Sequence, residues 1–310
     1  MTARRKRQKR QLFGSRKRTS INWRLIILLL SILLIIFGFF YIRKTTKLWD
    51  GERKISVIAK DGNDLKVLVF DPVLSEIIII SIPGNTRVEV SRNLGKWDVK
   101  SLWQLGNHEG LGGLLAVETL TRNFFFPSDG WADEKFLALA SGDLFSSMKL
   151  LIAPVETNLG RGDILNMIIF STNISNKNRI NIDLSETSYI RREMLLEGEE
   201  GYLLTGKMPG NLKALFSDPQ ISSKQTKFVI KNYSGNRAVN ERIAKLVEVL
   251  GGKVVSLEDK EAQGFDCYVA GVDKIIVQKL SMLLICEERF EESTSFDIEI
   301  GFGTNFVERY

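Results

Sequence analysis

From Leu25 to Ile42 the chain reads LIILLLSILLIIFGFFYI, an uncharged run flanked by Arg24 on one side and Arg43 and Lys44 on the other. As a helix it would be about 27 Å long at 1.5 Å per residue, close to the ~30 Å thickness of a bilayer's hydrocarbon core. A core helix of this length would carry a polar stripe, whereas only Ser31 and Gly38 break this one. The run is therefore expected to span a membrane, with Trp23 and Tyr41 at the levels where interfacial aromatics sit. The first 24 residues hold ten basic side chains and no acidic one, so the positive-inside rule keeps residues 1–24 in the cytoplasm and the bulk of the chain outside. Tyr41 to Thr46 offers no small-residue cleavage site, which makes the helix an anchor.

That tail also explains the net charge. The whole chain is +6 at neutral pH, so everything beyond residue 24 is mildly acidic, and nucleic acid is not an expected partner. Membrane lipid is. The sequence divides into a basic tail (1–24), the membrane helix (25–42), a stem (43–54), a first domain (55–205), a connection rich in Gly, Pro and Ser (206–225) and a second domain (226–310). The fold class expected is α/β of the α+β kind: a mixed central sheet flanked by helices, then a small βαββαβ domain.

In the first domain, Ile55–Ile58, Lys66–Asp71 and Glu76–Ile82 read as strands, the last apolar on both faces like a strand covered on both sides. Helices are expected over Leu114–Phe126, Glu134–Ala140, Asp143–Leu151 with Ser141 as its cap, and Asp163–Phe170, followed by a strand Arg179–Leu184. Beyond the connection come strand Lys227–Lys231, helix Arg237–Leu250, strands Lys253–Ser256 and Cys267–Val272, helix Lys274–Ile285 and strand Phe296–Phe302. Ile243, Leu246, Val247 and Leu250 form the buried face of the first of these helices. Such an order commonly places two helices on one side of an antiparallel sheet.

Few residues advertise chemistry. His108, the single histidine, lies between Asn107 and Glu109 and reads as a solvated loop residue. Gly110 to Gly113 lacks the Lys-Ser that a phosphate-cradling loop needs. Arg161-Gly162-Asp163 spells a cell-adhesion tripeptide but reads as the entry to a helix, with Asp163 in its first turn. Cys267 and Cys286 are too few for zinc, and their apolar settings leave a disulfide and two buried thiols both open.

Three stretches together resemble the LytR–CpsA–Psr family of membrane-anchored cell-envelope proteins. Phe70-Asp71-Pro72 with Ser81-Ile82-Pro83-Gly84-Asn85-Thr86-Arg87 is similar to that family's strand, turn, strand and Ser-Ile-Pro-Arg-Asp-Thr loop. Lys96 to Ser101, Gly112-Gly113 and the segment from Leu114 to Trp131 resemble its Lys-Ile-Asn segment, helix and turn. Val229 to Gly235, with Gly251 and Val254-Val255, resembles its LytR-type C-terminal domain. The resemblance implies transfer of a glycopolymer from a polyprenyl-pyrophosphate carrier to peptidoglycan, with arginines on the pyrophosphate and a divalent metal, Mg2+, nearby. Arginine suits that task because its planar fork binds phosphate oxygens in pairs.

Here Gly84 stands where the family has its loop arginine, Asn85 where it has the following aspartate, and Asn63-Asp64 where it has the upstream Asp-Thr. The candidate ligand-binding residues are Asn85, Arg87, Lys96 and Lys100, and the candidate catalytic ones Asp64 and Arg87. No metal ligand is assigned. The leading expectation is a binder of cell-wall or carrier-linked glycan. A transferase with rearranged residues and a non-catalytic envelope scaffold are the alternatives.

Overall fold

The computed structural model describes Trp23–Arg43, Thr45 and residues 48–194, 198–290 and 296–310. Residues 1–22 of the basic tail lie outside the described residues. Trp23–Arg43 is a single 21-residue helix. Among the described residues no helix is long and apolar enough to cross a membrane. Several side chains of Trp23–Arg43, Leu34, Ile35 and Phe39 to Ile42 among them, are outside that description, so the spanning expectation rests on the sequence of 25–42 alone.

Thr45–Tyr310 forms one compact unit. Its first sheet is built from β1 (Ile55–Asp61), β2 (Asp64–Asp71) and β3 (Glu76–Ile82), an antiparallel meander. A two-residue turn with Gly62 at φ 58° joins β1 to β2, a position where an L side chain would be strained. After the short hairpin β4 (Arg87–Val90) and β5 (Gly95–Asp98), the strands β6 (Gly130–Ala132) and β7 (Arg179–Asp183) join the meander in parallel at its two edges. The order is β6-β1-β2-β3-β7.

Period-two alternation gives the sheet two apolar faces. Val67, Val69, Ile78 and Ile80 pack beneath Leu115, Leu120 and Phe124 of the helix Leu114–Phe124. Leu68, Phe70, Ile77 and Ile79 face Ile164, Met167 and Ile168 of the helix Arg161–Asn173, together with Trp49 and Phe136. Full burial of each such side chain is worth about 1.5–3 kcal/mol. The isoleucine run of β3 thus reflects two covered faces, as its composition suggests.

Three local expectations are corrected. The helix expected to reach Phe126 ends at Phe124, because Phe125 adopts a left-handed conformation (φ 53°). Residues 134–141 form a 3₁₀ turn, Glu134–Leu137, before a short α-helix, Ala138–Ser141. The next helix, Leu144–Lys149, is capped by Asp143, whose carboxylate accepts the Ser146 N–H at 2.8 Å, and not by Ser141.

The hairpin of β8 (Ile190–Met194) and β9 (Glu200–Leu204) follows, and the connection after it holds two helices, Gly210–Phe216 and Pro219–Ser222. The second five-stranded sheet contains β10 (Lys227–Asn232), β11 (Lys253–Asp259), β12 (Cys267–Gly271), β13 (Glu287–Phe290) and β14 (Ile298–Phe302) in the order β11-β10-β14-β12-β13. It is mainly parallel, not antiparallel. Helices Arg237–Val249 and Lys274–Leu284 are crossovers joining parallel neighbours, and only β12 and β14 run antiparallel. β13 was not expected, since Glu287–Phe290 is polar and at an edge. Ile243, Leu246, Val247 and Leu250 are all buried. Cys267 and Cys286 are joined in a disulfide across the helix Lys274–Leu284.

Between the two sheets lies a network of buried charges. Lys54 pairs with Asp71 at 2.8 Å and donates to the Leu215 carbonyl, while Lys279 pairs with Asp218 and reaches the Lys54 carbonyl. Asp129 sits beside them, accepting the Ser56 N–H at 2.9 Å. Burial pushes its carboxyl above the ordinary carboxylate value, with the Lys279 ammonium and the Ser56 N–H pulling it back. The folded state therefore keeps a proton that the unfolded chain has released, and stability falls as pH rises from about 4. Asp129→Asn is expected to remove that slope from stability measured by denaturant at a series of pH values.

Candidate functional site

The loop after β3 turns at Pro83, where the Thr86 N–H donates to the Pro83 carbonyl at 3.0 Å. It then enters β4, whose first residue, Arg87, lies across from Asp98, the last of β5. The hairpin closes through Arg92 and Asn93, both with positive φ, and the Arg92 guanidinium is held by the buried Glu118 at 2.7 Å. The loop and hairpin are fixed further by the Val99 N–H to the Thr86 carbonyl and the Lys100 N–H to the Gly84 carbonyl. Asn85 is tied to β9: its side-chain amide donates to the Glu200 carbonyl at 3.0 Å, and its own carbonyl accepts the Tyr202 N–H.

Asp98 is the centre of this arrangement. It lies 3.1 Å from Arg87 Nε and 3.5 Å from Lys100 Nζ and is mostly covered, so one carboxylate is shared by two cations. Asp64, at the start of β2, accepts the Gly84 N–H at 2.7 Å. Asp64, Gly84, Arg87 and Lys100 are thereby brought together. Lys96 lies on the same face of the hairpin, opposite Glu89, and is exposed. Glu89 is also 3.0 Å from Arg122 and 3.4 Å from Arg242, which makes a second cluster of mixed charge one step along the hairpin.

Sequence reading assigned no role to Asp98. Its signal was the alternation of Lys96 and Asp98 on one face, legible only once β4 and β5 are recognised as a hairpin.

Gly84 is closely confined. A Cβ there would collide with the Asn63 carbonyl oxygen and lie 3.1 Å from Lys100 Cβ. Any larger residue must displace backbone. Gly84→Arg, which would place an arginine at the loop position where the resembling family carries one, is expected to cost about 1–3 kcal/mol of stability in thermal unfolding.

As a magnesium site the arrangement fits poorly. Asp98 is neutralised by two cations, Asp64 spends an oxygen on Gly84, and no group of three or more His, Cys, Asp or Glu converges among the described residues. His108 is exposed, 3.4 Å from Glu109. Asp163 of the Arg-Gly-Asp stretch is fully buried, as a helix entry demands.

A cavity of about 390 Å3 opens between the helices Leu114–Phe124 and Lys274–Leu284. Leu114, Val117, Glu118, Ser281, Arg309 and Tyr310 contribute to its wall, and none of Asp64, Asn85, Arg87, Lys96 and Lys100 does. The candidate residues form an open surface cluster apart from that cavity.

No protein-family model matches the chain, and no curated protein does. Solved structures similar to it include TagV of B. subtilis, with 12% identity and a TM-score of 0.38 over 66% of this chain and 100% of that one. B. subtilis TagT is similar at 13% identity and TM-score 0.36, covering 66% of this chain and 94% of that one. TagT bound to LIIa-WTA is similar at 14% identity and TM-score 0.37, covering 51% and 88%. TagV and TagT are LytR–CpsA–Psr proteins.

Proposed function

We propose that this chain is a membrane-anchored, extracytoplasmic envelope protein that holds a glycan linked to a polyprenyl pyrophosphate without transferring it. The observation that carries the reading is the Arg87–Asp98–Lys100 cluster, packed against a loop in which Gly84 leaves no room for an arginine. A guanidinium fork and an ammonium held beside one carboxylate are the groups that recognise phosphate oxygens. Phosphoryl transfer demands more, because charge on the leaving pyrophosphate must be neutralised as the bond breaks. Losing one well-placed donor costs roughly 10²–10³ in rate.

Anchoring is supported by the uncharged run 25–42 inside the 21-residue helix Trp23–Arg43 and by ten basic residues before residue 25. The disulfide between Cys267 and Cys286 suits an oxidising compartment outside the cytoplasm. The module boundaries at 55–205 and 226–310 belong to the same proposal.

Reconstituted full-length protein, incubated with a polyprenyl-pyrophosphate-linked glycan, peptidoglycan and magnesium, is expected to retain the lipid-linked glycan and to leave the peptidoglycan unmodified. Appearance of glycan on the peptidoglycan, with release of the polyprenyl phosphate, would establish the transferase alternative instead.

A further inference from the structure

The helix Leu144–Lys149 continues as turns to Ala153, through Ile152 N–H to the Lys149 carbonyl at 3.1 Å and Ala153 N–H to the same carbonyl at 2.8 Å. Its inward face is Ser147 and Leu150, both buried. Its outward face is apolar: Leu144 is 57% exposed, Phe145 72%, Met148 46% and Ile152 88%. Positions 144, 145, 148 and 152 fall on one side at helical spacing, so these are a continuous patch and not scattered residues. Lys149 reaches over the Phe145 ring, 4.7 Å from its centroid, which sets a cation beside the aromatic.

The patch lies close to the start of the folded body. Thr45, two residues beyond Arg43, is where the folded body is tethered to the helix Trp23–Arg43. Its hydroxyl accepts the Gly162 N–H at 3.0 Å, and its carbonyl lies so close to Gly160 that a Cβ there would collide with it. Between those glycines, Arg161 donates to the Leu151 carbonyl, and Leu151 adjoins Ile152. Tether and apolar patch are therefore neighbours on one side of the folded body. Val73 and Leu74 at the β2–β3 turn and Val272 after β12 are exposed apolar residues elsewhere in the chain.

We propose that Leu144, Phe145, Met148 and Ile152 insert into the interfacial region of the bilayer that holds the anchor, with Lys149 at the level of the lipid phosphates. The proposal rests on the anchoring reading above and adds that the folded body lies against the membrane and does not swing free on its stem. An apolar helix face flanked by a lysine is the chemistry of an interfacial segment, in which side chains leave water for the acyl boundary and the cation meets anionic headgroups.

The two native cysteines are paired, so a single added cysteine can carry a nitroxide in the full-length protein reconstituted into vesicles of zwitterionic and anionic lipid. Labels at Phe145→Cys, Ile152→Cys, Ile32→Cys and Val272→Cys are compared for collision with oxygen, which concentrates in lipid, and with a water-soluble nickel chelate. The expected result is a severalfold higher oxygen-to-nickel ratio at 145 and 152 than at 272, with 32 higher still. Nickel access at 145 and 152 equal to that at 272, with 32 protected, would overturn the docking proposal while leaving the anchor in place. Exclusion of both reagents at 145 and 152 would overturn it in favour of a protein partner. Nickel access at 32 would overturn the anchoring reading and this proposal with it.

Discussion

Asp163→Ala is expected to destabilise the folded body by about 3–5 kcal/mol, because one buried carboxylate satisfies at least three backbone donors at once. Its Oδ2 accepts the Gly160 N–H at 2.7 Å, and its Oδ1 accepts the N–H groups of Leu48 and Trp49 at 3.0 and 2.9 Å. Each buried donor left without an acceptor costs about 1–3 kcal/mol, and local relaxation recovers part of that. Asp163→Asn keeps one acceptor oxygen and is expected to lose roughly half as much. Denaturant unfolding of the two variants measures both numbers, and a loss under about 1 kcal/mol for the alanine variant would show that the stem is not held this way. The same geometry argues against an adhesive role for Arg161-Gly162-Asp163, since the carboxylate such a role would present is fully buried.

Lys279→Met is expected to cost a similar amount, about 3–5 kcal/mol, by leaving Asp218 buried without its cation. Asp218 also caps the helix Pro219–Ser222 through the Gln220 N–H at 2.7 Å, so the informative companion is Asp218→Asn, which keeps an acceptor for the cap. In a double-mutant cycle the pair Lys279→Met with Asp218→Asn should recover more than half of the loss. Additive losses would place the stability in packing of the lysine stem and not in the ion pair. Because Lys279 lies in the helix under the second sheet and Asp218 in the connection, this pair and Lys54–Asp71 join the stem, the first sheet and the second sheet into one unit.

The elements legible in the sequence were those with a strong period and a clear stop. β1 to β3 are apolar and bounded by Gly62, Pro72 and Pro83-Gly84, and the helix Arg237–Val249 has its apolar face at spacing three and four ahead of Gly251. What escaped was short, polar or decided by pairing. The hairpins β4–β5 and β8–β9 contain Arg, Glu and Lys on the exposed side and turn without a Gly-Gly or Asn-Gly signal. The parallel register of the second sheet is set by where two helical crossovers return, information that no local pattern carries.

The candidate site divides in the same way. Arg87 and Lys100 could be named from the loop they follow. The carboxylate that binds them, Asp98, depends on the cross-strand register of Arg87 with Asp98. The confinement of Gly84 depends on the Asn63 carbonyl, twenty-one residues earlier in the chain, and the buried pairs Lys54–Asp71 and Lys279–Asp218 join segments still farther apart.

The most direct test of the central claim is a calorimetric titration of the full-length protein, in detergent or nanodiscs, with a short-chain polyprenyl pyrophosphate, beside the Arg87→Ala variant. The account predicts binding near micromolar, about −8 kcal/mol, weakened roughly tenfold or more when the guanidinium is removed. No heat at millimolar ligand, or equal affinity in the variant, would contradict it.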